Sequence, residues 1–169
     1  TWSPYHGAAY AVVEACAKVV ASGARYDKMR FSYQEYFERM TDACSWGKPM
    51  SALLGALKMQ VALGLPSIGG KDSMSGTFRD IDVPPMLMAF GITTVDARTV
   101  ISPEFKSANN NIYVIRHTPE ANYMPSVESL KRNFDFVSQK IAEGDIVSAY
   151  AVGFGGVGEA VSKMAFGNM

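Results

Sequence analysis

The sequence predicts a mixed α/β (α+β) fold, in which helices and strands are distributed along a chain of 169 residues. Residues 4–22 and 126–143 carry apolar side chains at spacings of three and four, as amphipathic helices do. Residues 86–95 instead form a near-continuous apolar run, which is typical of a buried strand. Apolar residues make up 48% of the chain and charged residues 19%, a balance that favours a packed core over disorder.

The first half of the chain predicts helices before strands. Ser3 is the expected N-cap of the helix over 4–22, which Gly23 ends. A short strand or turn is expected over 29–32. Tyr36, Phe37 and Met40 at helical spacing favour a helix over 33–40. The next helix is expected to follow a Trp-Gly-Lys-Pro loop at 46–49 and to run to Leu63, with Leu53, Leu54, Leu57 and Val61 on one side.

Beyond Gly64 the apolar period becomes strand-like. Strands or extended segments are expected over 66–68, 74–80, 86–95, 111–116 and 146–152. Further helices are expected over 126–143, ended by Gly144, and over 157–166. An Asn cluster at 109–111 separates two parts, which we predict as domains 1–100 and 101–169. Because neither part has a complete sheet, and because the chain starts with Thr1, we expect a fragment of a longer protein.

Charge and composition exclude several classes of function. Sixteen basic and sixteen acidic residues cancel, which argues against a DNA or RNA binder driven by electrostatics. No apolar run reaches the ~18 residues that span a bilayer, and no signal-peptide pattern is present. Cys16 and Cys44 cannot form a disulfide framework, and Cys16 is expected in the core. We therefore expect a cytoplasmic protein with neither nucleic acid nor a membrane as its partner.

The strongest candidate site is the Ile-Gly-Gly-Lys-Asp-Ser-Met-Ser-Gly segment at 68–76. Gly69 and Gly70 allow a tight turn and close approach to a ligand, and successive backbone N–H groups can form an anion nest. Lys71 and Ser73 add a positive charge and a hydroxyl donor, while Asp72 could hold Mg²⁺ beside a phosphate. The segment predicts phosphate or nucleotide binding, although it lacks the Walker A spacing. A polar loop between two strands is the alternative.

Two other patterns offer weaker candidates. A glycine-rich turn at 153–156 precedes a helix and predicts either an anion site or tight strand–helix packing. Glu14 is either a metal ligand or the partner of Lys18 in an ion pair. It belongs to a polar stripe along the first predicted helix, at intervals of four: His6, Tyr10, Glu14 and Lys18.

The segment at 69–76 resembles the G-K-D-S-M segment of the phosphoribosylformylglycinamidine synthase family, in its large single-chain form. The resemblance extends to the Ala-Val-Val-Glu-Ala run at 11–15 and to the Trp-Gly-Lys-Pro segment with the helix after it. It also includes segments further along the chain, at 83–90, 100–103 and 155–168. It therefore covers essentially the whole chain in order.

This resemblance implies a fold like that of aminoimidazole ribonucleotide synthetase. Residues 1–100 would be the C-terminal part of a second N-terminal-type domain, and residues 101–169 the first part of a second C-terminal-type domain. The implied enzyme is an ATP-dependent ligase of de novo purine biosynthesis. It converts formylglycinamide ribonucleotide (FGAR), glutamine and ATP into the amidine (FGAM), glutamate, ADP and phosphate. ATP and Mg²⁺ would bind to the full-length enzyme, whose first synthetase half and glutaminase domain would be the partners of this region.

The resemblance also implies roles for single residues. Gly70 would approach ATP, Ser73 would contact the nucleotide substrate, and Lys71 would bind phosphate where relatives have a metal-binding Asn. Glu14 matches a metal ligand at an auxiliary nucleotide site in some relatives. Because Lys18 replaces an Asn of that site, the site is expected to be degraded. No catalytic residue is expected here, so the isolated chain should be inactive. The alternatives are a non-catalytic structural half-module and another ATP-binding member of the superfamily.

Overall fold

The computed structural model describes residues 3–167. The two residues at each end, including Asn168 in the predicted resemblance at 155–168, lie outside this range. The described residues form α1 (Pro4–Ala21), β1 (Arg30–Tyr36), α2 (Ala43–Leu63), β2 (Ser67–Ser73), β3 (Thr77–Phe78), β4 (Ile81–Asp82), β5 (Met86–Ile92), α3 (Val127–Glu143) and α4 (Gly156–Phe166), with 3₁₀ turns at Tyr26–Lys28 and Ala97–Thr99. The predicted mixed α/β class is confirmed.

The caps of α1 and α3 confirm the helix ends that the sequence predicts. The Ser3 hydroxyl accepts a hydrogen bond from the backbone N–H of His6, and Pro4 occupies the first turn of α1. Ser126 caps α3 in the same way. Gly144 ends α3 with φ at 82°, a left-handed conformation that glycine adopts without strain. These local signals therefore set the ends of both helices.

α2 begins earlier than predicted, and residues 46–49 lie within it rather than in a loop. The Asp42 carboxylate accepts a hydrogen bond from the Ser45 N–H at 2.8 Å, and the Ser45 hydroxyl accepts one from the Asp42 N–H at 3.0 Å. This capping box starts the helix at Ala43. Pro49 then falls in the second turn and leaves the Ser45 carbonyl without its helical N–H partner. The cap outweighs the helix-breaking residues, so the loop prediction was wrong.

β1 is the central strand of a three-stranded sheet with the order β2-β1-β5. It runs parallel to β2 and antiparallel to β5. The helix predicted over 33–40 is wrong because Tyr33 to Tyr36 complete this strand. Their aromatic side chains favour a strand once both edges of the backbone are paired.

The core lies between this sheet and the helices. α1 packs against β5 and α2, and α3 contacts both helices. Cys16 is buried in this core, as predicted, and burial raises the pKa of its thiol to about 12. Leu130 and Phe134 of α3 belong to the same buried cluster as Phe31 of β1. The proposed division into 1–100 and 101–169 stays a prediction.

Two apolar surfaces remain open. The first is the face of the sheet turned away from α1, where Met86, Phe90 and Ile92 of β5 are between 41% and 54% exposed. The run at 86–95 therefore forms a strand, but the expectation that the strand is buried was wrong. The second surface is the outer side of α2, which exposes Trp46, Met50, Leu53, Leu54, Leu57 and Val61. A groove of about 490 Å³ lies beside it, between α2 and Tyr5.

Three of the predicted strands are missing or much shorter than expected. Residues 111–116 and 146–152 form no strand, and 74–80 contains only the two-residue β3. Ile112 and Tyr113 are largely exposed. A strand needs a neighbouring strand for its backbone hydrogen bonds. Within residues 3–167, neither 111–116 nor 146–152 has such a neighbour. In the same range, no helix is long and apolar enough to cross a bilayer.

Candidate functional site

The predicted glycine-rich segment is a strand rather than a loop. β2 continues through Gly69 and Gly70 to Ser73, although a break was predicted at the two glycines. Among residues 3–167, β1 is its one sheet neighbour. In an edge strand, backbone N–H groups point alternately to the neighbour and to the open edge. They therefore do not converge on one point, and the predicted anion nest does not form along β2.

The structure gives Gly70 a role in strand pairing. A Cβ atom at this position would lie 2.7 Å from the Tyr33 carbonyl oxygen on β1, closer than real Cβ contacts come. The pairing register also skips Ile68, since Ser67 lies opposite Phe31 while Gly69 lies opposite Ser32. Glycine at position 70 is thus required by the sheet itself, independently of any ligand.

Strand alternation divides the predicted binding residues between the two faces of the sheet. Lys71 lies opposite Gln34 in the register, and Asp72 lies opposite Glu35. Neighbouring residues of a strand point to opposite faces, so Lys71 lies on the open face and Asp72 on the face that carries the helices. The Lys71 ammonium is 5.9 Å from the centroid of the Tyr36 ring, on that open face.

The parallel strands β1 and β2 end at the same edge of the sheet. The Phe37 N–H, directly after β1, donates to the Ser73 carbonyl at 2.8 Å, and the Phe37 carbonyl accepts from the Gly76 N–H at 2.9 Å. Asp72 and Ser73 thus lie at the carboxyl end of β2, beside the carboxyl end of the parallel strand β1, and such edges are where α/β proteins commonly bind their ligands. Lys71 and Asp72 are exposed at this edge and Ser73 is partly buried.

Glu35 is the residue of this region that the sequence analysis missed. Its side chain is 1% exposed, and within residues 3–167 neither carboxyl oxygen has a hydrogen-bond partner. Burial, followed by repulsion from the Asp72 carboxylate, raises the pKa of Glu35 to about 7. No motif marks this residue. The alternation of Phe31, Tyr33 and Glu35 would have placed it inside, had β1 been recognised as a strand.

The polar stripe of α1 makes structural contacts. Lys18 Nζ lies 2.7 Å from Glu14 Oε1 in an exposed ion pair, the second of the two alternatives for Glu14. His6 Nε2 lies 3.0 Å from the Asn122 carbonyl oxygen, and the Tyr10 hydroxyl donates to the Tyr123 carbonyl at 3.0 Å. These contacts attach α1 to the loop before α3.

The described residues do not complete a metal site. Between residues 3 and 167, no three His, Cys, Asp or Glu side chains lie close enough together to hold a metal ion. Glu14 forms an exposed ion pair with Lys18, and its role as a magnesium ligand stays a prediction. Asp72 has only the carboxyl group of Glu35 beside it, and Mg²⁺ bound there would need further oxygen ligands, such as phosphate or water.

The glycine-rich turn before α4 carries its own carboxylate. The Gly155 N–H donates to Glu159 Oε2 at 2.7 Å, and Glu159 also pairs with Lys163. A side chain of α4 therefore takes the place that an anion would have at the N-terminus of this helix.

The chain resembles known proteins both in sequence and in fold. No family model matches the chain. The phosphoribosylformylglycinamidine synthase subunit PurL of Thermoplasma acidophilum is 26% identical over 187 residues, covering 98% of this chain and 24% of that protein. T. maritima PurL complexed with AMPPCP has a TM-score of 0.64 at 18% identity. This match covers 98% of the present chain and 27% of the PurL chain. T. maritima PurL complexed with ATP has a TM-score of 0.62 at 17% identity. This match covers 95% of the present chain and 26% of the PurL chain.

The present chain thus spans about a quarter of the length of the relatives it matches. The predicted likeness to aminoimidazole-ribonucleotide-synthetase-type domains is confirmed by this shared fold. The large single-chain form stays a prediction, since the matched relative is a PurL subunit. The sequence likeness over nearly the whole chain, together with the shared fold, relates this protein to a part of phosphoribosylformylglycinamidine synthase.

Proposed function

We propose that the chain is part of an ATP-dependent ligase and contributes one wall of its nucleotide and substrate site. In the proposed reaction, ATP phosphorylates the amide oxygen of FGAR, which releases ADP and leaves an iminophosphate. Ammonia from glutamine then displaces phosphate and gives FGAM. Support comes from the likeness to PurL, whose solved structures include complexes with ATP and AMPPCP.

The observation that carries this proposal is the position of Lys71 and Ser73. Both lie toward the carboxyl end of β2 and on the open face of the sheet, where no helix of the described chain covers them. A lysine ammonium and a serine hydroxyl can bind phosphate oxygens by charge and by hydrogen bonding. Phosphoryl-transfer catalysis depends largely on such positioning and charge stabilisation. These residues would hold a phosphorylated ligand rather than react with it.

Mg²⁺ fits this site only when a phosphorylated ligand such as ATP is bound there as well. Asp72 lies on the other face of the sheet from Lys71 and Ser73, but it is exposed at the carboxyl edge of β2. A Mg²⁺ ion at that edge could take one carboxylate oxygen from Asp72 and further oxygens from the phosphates of ATP. On this proposal Glu14 takes no part, because its carboxylate is held by Lys18. Bound Mg²⁺ would neutralise phosphate charge at the reacting group.

The proposed partners are other parts of a longer polypeptide, namely a first synthetase half and a glutaminase domain. The open faces of β5 and α2 support this, since exposed apolar surfaces of this kind mark interaction sites. On this proposal the isolated chain is inactive, because most of the groups around the phosphoryl centre lie elsewhere. A cytoplasmic location stays part of the proposal.

A non-catalytic structural half-module is the second candidate function. Gly70 favours it, because strand pairing alone explains the absence of a side chain there. On this alternative, β2 is an edge strand that packs against another part of the protein, and Lys71 binds no phosphate.

Calorimetric titration with ATP–Mg²⁺, and separately with FGAR, tests the proposal. We expect saturable binding by the folded chain that Lys71→Ala weakens about 10-fold or more, since a hydrogen bond to a charged group contributes about 1.5–3 kcal/mol. Lys58→Ala is the matched control, because Lys58 is an exposed lysine on α2 that lines the groove beside Tyr5. Binding that Lys71→Ala leaves unchanged, or no binding by the folded chain, would instead support the structural half-module.

A further inference from the structure

The open face of the sheet carries an aromatic ring beside the proposed phosphate-binding residues. Tyr36 is the last residue of β1 and lies opposite Ser73, the last residue of β2, in the parallel register. Lys71 lies opposite Gln34, two residues before Tyr36, so its side chain leaves the same face one row further back. The ring of Tyr36 therefore lies next to both side chains that would bind phosphate.

Lys71 has no charged partner that would hold its ammonium in place. Among residues 3–167, no carboxylate forms an ion pair with Lys71, and the next residue, Asp72, lies on the opposite face of the sheet. A lysine has a flexible stem of four carbon atoms, and ordering this stem when a ligand binds costs conformational entropy. A group that holds the ammonium before the ligand arrives would lower that cost.

The Tyr36 ring supplies such a contact. The Lys71 ammonium lies over this ring, 5.9 Å from its centroid, a distance at which the negative face of an aromatic ring attracts a cation. An ammonium has three N–H donors, so it can remain over the ring and still donate to phosphate oxygens. Phe90 of β5, another ring on the open face, lies opposite Ser32 and has no cation over it within the described part of the chain. The contact is thus particular to the end of β1.

We propose that Tyr36 is a positioning residue, whose ring holds the Lys71 ammonium beside Ser73 before a phosphorylated ligand binds. The role in ligand binding rests on the proposed function, whereas the placement of the ammonium over the ring does not. Two competing roles are direct binding of the ligand by the Tyr36 hydroxyl, and sequestration of the ammonium by the ring. These roles differ in which variant changes ligand affinity and in the direction of the change.

Nuclear magnetic resonance of the ligand-free chain, prepared with isotope-labelled lysine, tests the placement of the ammonium. Protons above an aromatic ring are shielded, so the Lys71 Cε protons should resonate upfield of those of the other lysines. Lys71→Ala assigns this signal. Tyr36→Phe should keep the upfield shift and Tyr36→Leu should abolish it. Phe90→Leu, the matched change on the same face, should leave it unaltered. A wild-type Lys71 signal among those of the other lysines would overturn the proposal.

Calorimetric titration with ATP–Mg²⁺ tests the positioning role. Tyr36→Leu should weaken binding about 2- to 5-fold, the factor expected of a cation–aromatic contact at an exposed site, whereas Tyr36→Phe should bind like the wild type. In the Lys71→Ala background, Tyr36→Leu should cause no further loss, because the ring then has no ammonium to hold. Equal losses in both backgrounds would assign Tyr36 a structural role instead.

Other results would also contradict the positioning role. Weaker binding by Tyr36→Phe would identify the hydroxyl as a ligand-binding group, and tighter binding by Tyr36→Leu would show that the ring sequesters Lys71. Unchanged affinity in Tyr36→Leu, where Lys71→Ala weakens binding, would leave the proposed function without this role for Tyr36. If the folded wild type binds neither ATP–Mg²⁺ nor FGAR, the proposed function and the positioning role both fail, and only the placement of the ammonium stands. Circular dichroism confirms that each variant is folded before either measurement.

Discussion

The two faces of the three-stranded sheet differ in how completely this chain covers them. On one face, Phe31 is fully buried and Glu35 nearly so, beneath the helices. On the other face, Phe90 is 46% exposed, and the Lys71 ammonium lies 5.9 Å from the centroid of the Tyr36 ring. β2 contributes to both faces, with Asp72 on the first and Lys71 on the second. The covered face therefore explains the stability of the chain, and the open face is where binding by other molecules or other parts of the protein is expected.

The largest expected effect is a difference in stability between a variant on the covered face and a variant on the open face. Phe31→Ala removes a fully buried ring from the core and should lower the free energy of unfolding by about 3–5 kcal/mol. Phe90→Ala is the control on the open face and should cost about 1 kcal/mol or less, because nearly half of that side chain is already in water. Urea denaturation measures both. Equal losses would show that the open face contributes as much to the fold as the covered one.

The next effect is a pH dependence that originates on the covered face. The pKa of Glu35 is about 7 in the folded chain, against an ordinary value of 4.5, so the folded state binds more protons between these values. The stability from this group is complete below about pH 4.5 and is lost as the pH rises through about 7. The free energy of unfolding should fall by about 3 kcal/mol in total, because each unit of pKa difference between the folded and unfolded states corresponds to ~1.4 kcal/mol.

Glu35→Gln should flatten this part of the pH profile, because an amide does not titrate. Urea denaturation of both proteins at pH 5, 6, 7 and 8 measures the difference. Asp27 is the control acid. The hydrogen bond from the neighbouring Arg25 lowers the pKa of Asp27, so this carboxyl group titrates at more acidic pH than Glu35. A wild-type profile parallel to that of Glu35→Gln would show that Glu35 is ionised throughout the range.

The helices show which features of the fold the sequence alone can predict. α1 and α3 follow from local signals, since the Ser3 and Ser126 caps and the Gly144 end each act within a few residues. α2 shows that one local signal can override another. Its capping box at Asp42 outweighs Pro49, which by itself predicts a loop. These elements were accessible to sequence reasoning, once all caps are weighed together.

Strands depend on neighbours that are distant in sequence. The spacing of Tyr36, Phe37 and Met40 fits a helix over 33–40, but pairing with β2 and β5 on either side makes Tyr33 to Tyr36 part of a strand. Residues 111–116 have the composition of a strand and remain unpaired. Glu35 could not be found for the same reason. Its burial and its closeness to Asp72 follow from the register, which no local pattern specifies.

The smallest expected effect concerns β2, the strand shared by both faces. In Gly70→Ala, the new methyl group would stand 2.7 Å from the Tyr33 carbonyl oxygen, so β1 and β2 must move apart locally. Because strain of this kind costs about 1–3 kcal/mol, the variant should unfold at a correspondingly lower urea concentration. Gly153→Ala is the matched control, since nothing lies within 4 Å of a Cβ there, and it should change stability by about 0.5 kcal/mol or less.

The same variant distinguishes the two explanations for glycine at position 70. If the sheet alone requires it, the loss of stability in Gly70→Ala should exceed any loss of ATP–Mg²⁺ affinity measured on the folded fraction. If the glycine is needed for approach to a ligand, affinity should fall while stability stays close to that of Gly153→Ala. The close approach to Tyr33 favours the first result. On that result, glycine at position 70 serves the pairing of β1 and β2, and the proposed ligand binding at the open face would depend on Lys71 and Ser73 rather than on Gly70.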